Sequence, residues 1–142
     1  MDPVGKSYPP VLYAVGREKV KEYARAVGET DPLYLDHEAA RAAGYADVVA
    51  PPMFAVVYCS AAMGPAYFDP DLAIDFSRLV HGGQEFRWGP LVVAGDEITT
   101  VVSVASIDHR AGNGFFTFES VSTNQDGHTV SVGTWTNIVR GA

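Results

Sequence analysis

The sequence has little of what several large protein classes require. It contains one cysteine, Cys59, so a framework of intrachain disulfides is excluded. No stretch of about 18 apolar residues occurs, and the first residues lack the pattern of a signal peptide. We therefore expect a cytosolic protein that does not span a membrane.

Positive charge is also scarce. Lys and Arg total 10 against 17 for Asp and Glu, which gives a net charge of −7. A chain this acidic is poorly suited to nucleic acid or an anionic membrane, so neither is expected as a partner. The spacing of His, Cys, Asp and Glu matches no metal site, and no Gly-rich phosphate loop occurs. No metal and no cofactor is predicted.

What the sequence does have is apolar bulk. Hydrophobic residues make up 47% of the 142, which excludes a disordered chain, and the length predicts one domain over residues 1–142. Charged residues make up only 19%. That low share indicates apolar surface hidden in an oligomer interface.

The first half of the chain has helical spacing. From Arg17 the apolar residues recur every three or four positions, until Gly28 provides a stop. After Pro51-Pro52, the run Met53–Met63 is apolar almost all round. We predict that it forms a buried central helix ending at Gly64.

The second half is rich in β-branched and aromatic residues. Residues 65–82 are predicted to be irregular, and four strands separated by Gly- and Asn-rich turns follow: Gln84–Val93, Glu97–Asp108, Phe115–Thr123 and Thr129–Arg140. Three turn-linked strands in series indicate an antiparallel meander. A long antiparallel sheet wrapped round one hydrophobic helix buries the apolar faces of both, which predicts an α+β hot-dog fold. Such a sheet leaves an open edge, so edge-to-edge dimerisation is expected.

The most specific pattern begins at Gly28. It reads Gly-Glu-Thr-Asp-Pro-Leu-Tyr-Leu-Asp, followed by a Gly-Tyr pair and by Ala-Pro-Pro-Met-Phe at the start of the central helix. A second segment, from Phe86 to Asp96, reads Phe-x-Trp-x-Pro-Leu-Val-x-x-Gly-Asp. In this order and spacing the chain resembles the MaoC-like hot-dog proteins, which include (R)-specific enoyl-thioester hydratases and (3R)-hydroxyacyl dehydratases.

The departures from the family signature concern its catalytic positions. That signature reads Gly-Asp-x-Asn-Pro-x-His-x-Asp, and its Asp and His form the dyad that handles the α-proton and the water. Aligned on Pro32, Glu29 stands at the Asp position and Tyr34 at the His position. A phenol, with a pKa near ~10, is a poorer base at neutral pH than an imidazole near ~6.5. The central helix also starts with Pro51-Pro52 instead of His-Gly, which removes two backbone N–H donors.

The altered pattern resembles the FAS1-like dehydratase or UPF0336 group. It is also similar to the non-catalytic subunit of (3R)-hydroxyacyl-ACP dehydratases. The resemblance implies a division of labour in which a partner hot-dog subunit supplies the catalytic Asp and His. This chain would then supply stability and room for the acyl chain of an acyl-CoA or acyl-ACP, without metal or cofactor.

Four side chains are candidates for chemistry, and each has a structural alternative. Glu29 and Asp31 could include a general base with a raised pKa, or Asp31 could bond the turn before Pro32. Tyr34 could donate a hydrogen bond to the thioester. His81 could approach the thioester or make a structural hydrogen bond.

Apolar side chains around the central helix and residues 65–80 are predicted to line an acyl-chain tunnel or to cover the partner. The alternative is plain hydrophobic core, and buried Cys59 is expected to be inert. The predicted substrate-binding residues are Pro52, Met53, Phe54, Tyr58, Phe68, Phe76 and Gln84.

Three functions are compatible with these features. The first is a degenerate subunit of an (R)-3-hydroxyacyl-thioester dehydratase or enoyl-thioester hydratase, paired with a catalytic hot-dog subunit. The second is a self-sufficient homodimeric hydratase using Glu29 or Asp31 with Tyr34 or His81. The third is a hot-dog protein that binds an acyl or other small molecule without turnover.

Overall fold

A five-stranded antiparallel sheet with a helix against one face dominates the computed structural model, which describes residues 2–141. The strands are β1 (Val11–Ala14), β2 (Leu79–Trp88), β3 (Glu97–Arg110), β4 (Asn113–Thr123) and β5 (Thr129–Val139). The helices are α1 (Arg17–Ala26), α2 (Pro32–Leu35), α3 (His37–Ala42) and α4 (Ala55–Tyr67), with 3-10 turns at Pro52–Phe54 and Phe76–Arg78. The spatial order of the strands is β1-β3-β4-β5-β2. This is the predicted α+β hot-dog arrangement.

Helix α4 is the centre of the core. Its residues Ala55, Cys59 and Ala62 are at most 1% exposed, and these small side chains let the helix lie close to the sheet. Beneath it the sheet presents short hydroxyl side chains, and the Cys59 thiol lies 3.6 Å from the hydroxyl of Ser122. Burial raises the pKa of this thiol, so Cys59 is held in its neutral form.

Helix α4 extends one turn beyond its predicted end at Gly64. The structure places its last residue at Tyr67, and the Phe68 N–H donates to the Gly64 carbonyl at 3.2 Å. Gly64 does not adopt the left-handed conformation of a helix cap. Because Ala66 is fully buried, packing holds the last turn in place although Pro65 lies inside the helix.

The prediction for β2 was wrong at both ends. The strand begins at Leu79, inside the segment predicted to be irregular. It was missed because a bulge between His81 and Gly83 interrupts the alternation of inward and outward side chains. It ends at Trp88 instead of Val93, since Gly89-Pro90 interrupts it. The residues beyond Pro90 pair elsewhere: the Ala50 N–H donates to the Val92 carbonyl at 2.8 Å.

The meander predicted from the turns is formed by β3, β4 and β5, which are neighbours in sequence and in space. β2 lies beside β5 and not beside β3, which follows it in sequence. The Gly95-Asp96 turn therefore does not join two paired strands. It is stabilised by the Asp96 carboxylate, which accepts the Val93 N–H at 3.0 Å.

An ionic cluster ties the N-terminal segment to the loop after α4. The Asp69 carboxylate is 8% exposed and lies 2.7 Å from the Lys6 ammonium, and it also accepts the Tyr8 hydroxyl at 2.7 Å. These two donors lower the pKa of Asp69 to about 2. The same cluster raises the pKa of Lys6. Asp71 completes it with a second contact to Lys6, at 2.9 Å.

Replacing Asp69 is expected to destabilise the fold in a pH-dependent way. The folded-state pKa of about 2 lies below the ordinary 3.8, so the ionised carboxylate stabilises the protein above about pH 4. That contribution is lost as the pH falls towards 2. Asp69→Asn should lower the Tm at pH 7, and the gap to the wild type should narrow between pH 4 and pH 2.

Thermal melts followed by circular dichroism across this pH range provide the measurement. Asp71→Asn is the matched control, because this second carboxylate of the cluster is 64% exposed and should matter much less. Equal Tm values for Asp69→Asn and the wild type at pH 7 would contradict the assignment.

Candidate functional site

An apolar cavity lies between the start of α4 and the end of β2. Its volume is about 230 Å³. Its lining is almost entirely hydrophobic and consists of Ala50, Pro51, Pro52, Phe54, Tyr58, Trp88, Gly89, Pro90, Leu91, Val92 and Val130. Two of these residues are half exposed, Trp88 at 48% and Leu91 at 50%, and they mark the mouth.

Tyr58 brings a phenol to the apolar lining of this cavity. Its side chain is 2% exposed, and its hydroxyl lies 2.7 Å from the hydroxyl of Ser131 on β5. Burial raises the pKa of Tyr58 to about 12. The phenol is therefore neutral at physiological pH, where it can exchange hydrogen bonds but cannot act as a base.

Close backbone packing fixes the cavity wall at Gly89. Its N–H donates to the Val130 carbonyl at 2.9 Å, and a Cβ at this position would lie 2.1 Å from the Thr129 carbonyl oxygen. Only glycine fits this approach. A β-bridge between Val49 and Val93 holds the chain just before Pro51. Backbone contacts thus fix two of the segments that line the cavity.

Of the two positions that align with the family dyad, Tyr34 lies in α2 and Glu29 lies just before it. The Val49 N–H donates to the Leu33 carbonyl at 2.9 Å, which attaches α2 to the segment before Pro51. Burial raises the pKa of Tyr34, and the charge of Glu29 raises it further. The Glu29 charge also raises the pKa of Tyr23, after the larger effect of burial. Glu29 therefore stands near two tyrosines, and the Tyr34 phenol is ionised even less at neutral pH than a tyrosine in water.

Asp31 shapes the turn that carries this pair. Its carboxylate accepts the Leu33 N–H at 3.0 Å and caps α2, while its own side chain is exposed. Asp31 thus has the structural role, bonding the turn before Pro32, that was the alternative to a general base. Asp36 caps α3 in the same way: its carboxylate accepts the Glu38 N–H at 2.9 Å.

The start of α4 offers few free hydrogen-bond donors. Pro51 and Pro52 have no N–H, and the Phe54 N–H donates to the Pro51 carbonyl at 2.8 Å. The Ala55 N–H is also bonded within this turn. A thioester oxygen placed here would find little of the stabilisation that a helix N-terminus provides.

The structure divides the predicted substrate-binding residues between two places. Pro52, Phe54 and Tyr58 line the cavity, and Met53 lies beside it, 45% exposed. At the far end of α4, Phe68 and Phe76 stack with ring centroids 5.3 Å apart and are 69% and 55% exposed.

The remaining two candidates lie on β2. Gln84 is paired with Trp135, and both polar atoms of its carboxamide are buried without a hydrogen-bond partner among the described residues. His81 is exposed, and its ring centroid lies 6.1 Å from that of Trp135. Neither residue lines the cavity.

Several cavity residues were missed from the sequence, above all Trp88, Leu91 and Val130. The Phe-x-Trp-x-Pro-Leu string contains two of them, and its Gly-Pro break was the available signal for a strand end beside a site. Within residues 2–141 no cluster of His, Cys, Asp and Glu could hold a metal ion. Over the same residues, no helix is long and apolar enough to cross a membrane.

The strand order and the central helix define the class of the protein, a hot-dog module. The family model of the FAS1-like dehydratase domain region matches residues 2–132, and the chain belongs to this family. A UPF0336 protein of Saccharopolyspora erythraea is 46% identical over 139 residues, covering 97% of this chain and 89% of the relative.

Two solved structures are also similar to this chain. A MaoC-like dehydratase has a TM-score of 0.87 and 32% identity, covering 99% of this chain but only 43% of its own. This chain is thus less than half as long as that protein. A HadBC (3R-hydroxyacyl-ACP dehydratase) complex from Mycobacterium tuberculosis has a TM-score of 0.83 and 29% identity, covering 97% of this chain and 98% of the matched one.

Removing the Tyr58 hydroxyl is expected to cost stability. Tyr58→Phe leaves the buried Ser131 hydroxyl without its partner at 2.7 Å, and the free energy of unfolding should fall by about 1 kcal/mol. Urea denaturation followed by fluorescence measures this. The control is Tyr45→Phe, at a half-buried tyrosine after α3. The same change in both variants would count against the role of the Tyr58 bond.

Proposed function

We propose that this chain is a subunit of an (R)-3-hydroxyacyl-thioester dehydratase or enoyl-thioester hydratase. It binds the acyl chain and stabilises the complex, and a partner hot-dog subunit supplies the catalytic Asp and His. The observation that carries the proposal is the combination of an apolar cavity with dyad positions that hold Glu29 and Tyr34.

The reaction needs a group that exchanges protons near neutral pH. In one direction water adds to a trans-2-enoyl thioester and the α-carbon gains a proton. In the other, the 3-hydroxyacyl thioester loses water and the α-carbon loses a proton. The pKa of Tyr34 is raised by burial and by the Glu29 charge, so almost none of the phenolate is present near neutral pH to accept a proton. Loss of a general base typically lowers the rate by ~10²–10⁴.

The cavity supports the acyl-binding part of the proposal. Its hydrophobic walls suit a hydrocarbon chain and repel a charged carrier group, which would stay outside the mouth at Trp88 and Leu91. Tyr58 offers the only side-chain hydroxyl among the lining residues.

The open sheet edge supports a partner. β2 is the outermost strand beside β5, and exposed apolar side chains flank it at both ends: Phe68, Phe76 and Val80 at one end, Trp88 and Leu91 at the other. An unpaired strand with apolar neighbours is a natural surface for another strand. A second hot-dog module along β2 would cover both groups.

A self-sufficient homodimeric hydratase is the second candidate. It is favoured by the place of Glu29, whose charge acts on both Tyr23 and Tyr34 in a half-buried environment. A carboxylate beside a phenol could act as a base with an attached hydrogen-bond donor. The two proposals differ in whether this chain turns over substrate alone.

Turnover by the purified chain separates them. We expect the purified chain to hydrate crotonyl-CoA only slowly, as measured by the decrease in enoyl-thioester absorbance. Glu29→Gln should not lower this rate further. Binding of decanoyl-CoA, measured by calorimetry, should nevertheless be detectable and should weaken in Val130→Phe, which fills the cavity.

Glu22→Gln is the matched control, because Glu22 is an exposed carboxylate on α1. Robust turnover that Glu29→Gln abolishes and Glu22→Gln leaves intact would favour the self-sufficient enzyme. Absence of any decanoyl-CoA binding would refute the acyl-binding role.

A further inference from the structure

Three buried polar atoms on the sheet have no hydrogen-bond partner among the described residues. They are the Nε2 and Oε1 atoms of Gln84 on β2 and the Nδ2 atom of Asn137 on β5. Asn137 is only 2% exposed. Buried carboxamides are normally bonded, because an unpaired donor or acceptor away from water destabilises the fold. These atoms therefore indicate a polar partner that the described part of the chain does not supply.

The pairing of β2 with β5 brings both carboxamides to one face of the sheet. Gln84 stands opposite Trp135, and residues directly opposite in antiparallel strands share a face. Asn137 lies two residues beyond Trp135 and shares that face too, and its own partner is His81. His81 and Gln84 would face opposite ways in a regular strand, and the bulge between them corrects this. Bulges that redirect side chains are frequent beside functional sites.

The phenol of Tyr67, at the end of α4, borders the two carboxamides. Burial raises the pKa of Tyr67, and the Asn137 carboxamide offsets part of this rise, so these two groups lie close together. No hydrogen bond of normal geometry joins Nδ2 to the phenol. The ring of Tyr67 packs edge-on against Phe118, with centroids 5.9 Å apart. The neutral hydroxyl is thus held where it can donate to or accept from a ligand of the carboxamides.

Aromatic side chains connect this place to the mouth of the apolar cavity. Trp88, Phe86 and Gln84 alternate along β2 and share one face. The rings of Phe86 and Trp88 stack at 4.8 Å. Gly133 stands opposite Phe86, and a Cβ there would lie 2.8 Å from the Cε1 atom of this ring, so glycine keeps room for it. Trp88 and Gln84 are separated by ~13 Å along the strand.

A secondary amide complements an unpaired carboxamide. It has one N–H donor and one carbonyl acceptor, which match the Oε1 and Nε2 atoms of Gln84, and Asn137 offers the same carbonyl a second donor. Acyl groups carried as thioesters are attached to a pantetheine arm, which contains two secondary amides. With the thioester at the cavity mouth, the carbonyl of the farther amide lies ~10 Å away along an extended chain. The length of the Gln84 side chain covers the rest of the distance to Trp88.

We propose that Gln84 and Asn137 bind a secondary amide of the pantetheine arm, while the acyl chain occupies the apolar cavity and the arm lies over Phe86 between them. Acyl-CoA and acyl-ACP contain the same arm, so the site recognises what both carriers share. Gln84 belongs to a half-buried position on β2, and its carboxamide meets the ligand by rotation about its own side-chain bonds. The inference rests on the acyl-binding role of the proposed function and adds recognition of the carrier arm.

The stability of the free protein is the first test. Because the Gln84 carboxamide is unpaired without ligand, an apolar side chain of similar length should not destabilise the fold. Gln84→Met should therefore melt at the same temperature as the wild type or higher, as measured by circular dichroism. A lower melting temperature would show that the carboxamide has a structural role, and it would overturn the proposal.

Binding of octanoyl-pantetheine, measured by calorimetry, is the second test. Gln84→Met should bind it about tenfold more weakly, since the hydrogen bonds to the amide are lost. S-ethyl thiooctanoate has the same acyl thioester but no amide, and it should bind equally to both proteins. Glu85→Met is the matched control, because Glu85 is the exposed neighbour of Gln84 on the opposite face of β2. Equal binding of octanoyl-pantetheine by Gln84→Met and the wild type would refute the amide site.

A second variant covers the case in which Gln84→Met does not fold. Asn137→Leu removes the other unpaired donor, and it should weaken octanoyl-pantetheine about fivefold while leaving S-ethyl thiooctanoate unchanged. Octanoyl-CoA and octanoyl-ACP should lose affinity for either variant as octanoyl-pantetheine does, and the one that the wild type binds more tightly identifies the carrier. No loss with any of the three amide-bearing ligands would contradict the proposal.

The two thioesters also separate this inference from the proposed function. If the wild type binds octanoyl-pantetheine no more tightly than S-ethyl thiooctanoate, the amide site fails and the acyl-binding function stands. If it binds neither, the acyl-binding function fails. Free pantetheine then still tests the site: its NMR signals should broaden with the wild type and much less with Gln84→Met, and equal broadening would overturn the proposal.

Discussion

The burial of α4 is the constraint on which the rest of the structure depends. The helix has almost no polar side chain with which to face water, so it must be covered on most of its surface. The sheet covers one side, and because Ala55, Cys59 and Ala62 are small, the sheet can approach closely. The side left to solvent consists of short residues, Ser60 and Ala61 among them, which expose little apolar area.

The same helix determines where a ligand can lie. Its first residues stand over β5 and beside the end of β2, and the gap that their side chains leave is the apolar cavity. Pro51 and Pro52 rigidify this start but remove backbone donors from it. A site built on this helix can therefore hold a hydrocarbon chain well, but it stabilises a developing charge on a thioester oxygen poorly.

The features that the sequence predicted correctly depend on local signals. α1 with its stop at Gly28, the buried central helix and the meander from β3 to β5 follow from periodicity and turn residues within short windows. β2 could not be predicted in this way. Its bounds depend on a bulge and on Gly89-Pro90, and its place beside β5 depends on pairing between segments about 50 residues apart. Part of the cavity lining was missed for the same reason, because Trp88 and Val130 meet only through that pairing.

The dehydratase-like motif also separates into structural and chemical parts. The positions at which this chain keeps the signature are those that build the turn: Pro32 opens α2, and Asp36 caps α3. Asp31, although it replaces the signature's Asn, still caps α2 with its side chain. The positions that differ most in chemistry, Glu29 and Tyr34, contribute no side-chain hydrogen bond to this turn among the described residues. Since the turn does not need an Asp and a His there, the fold can persist after the dyad has changed. A match to this motif therefore predicts the hot-dog fold more securely than it predicts an active site.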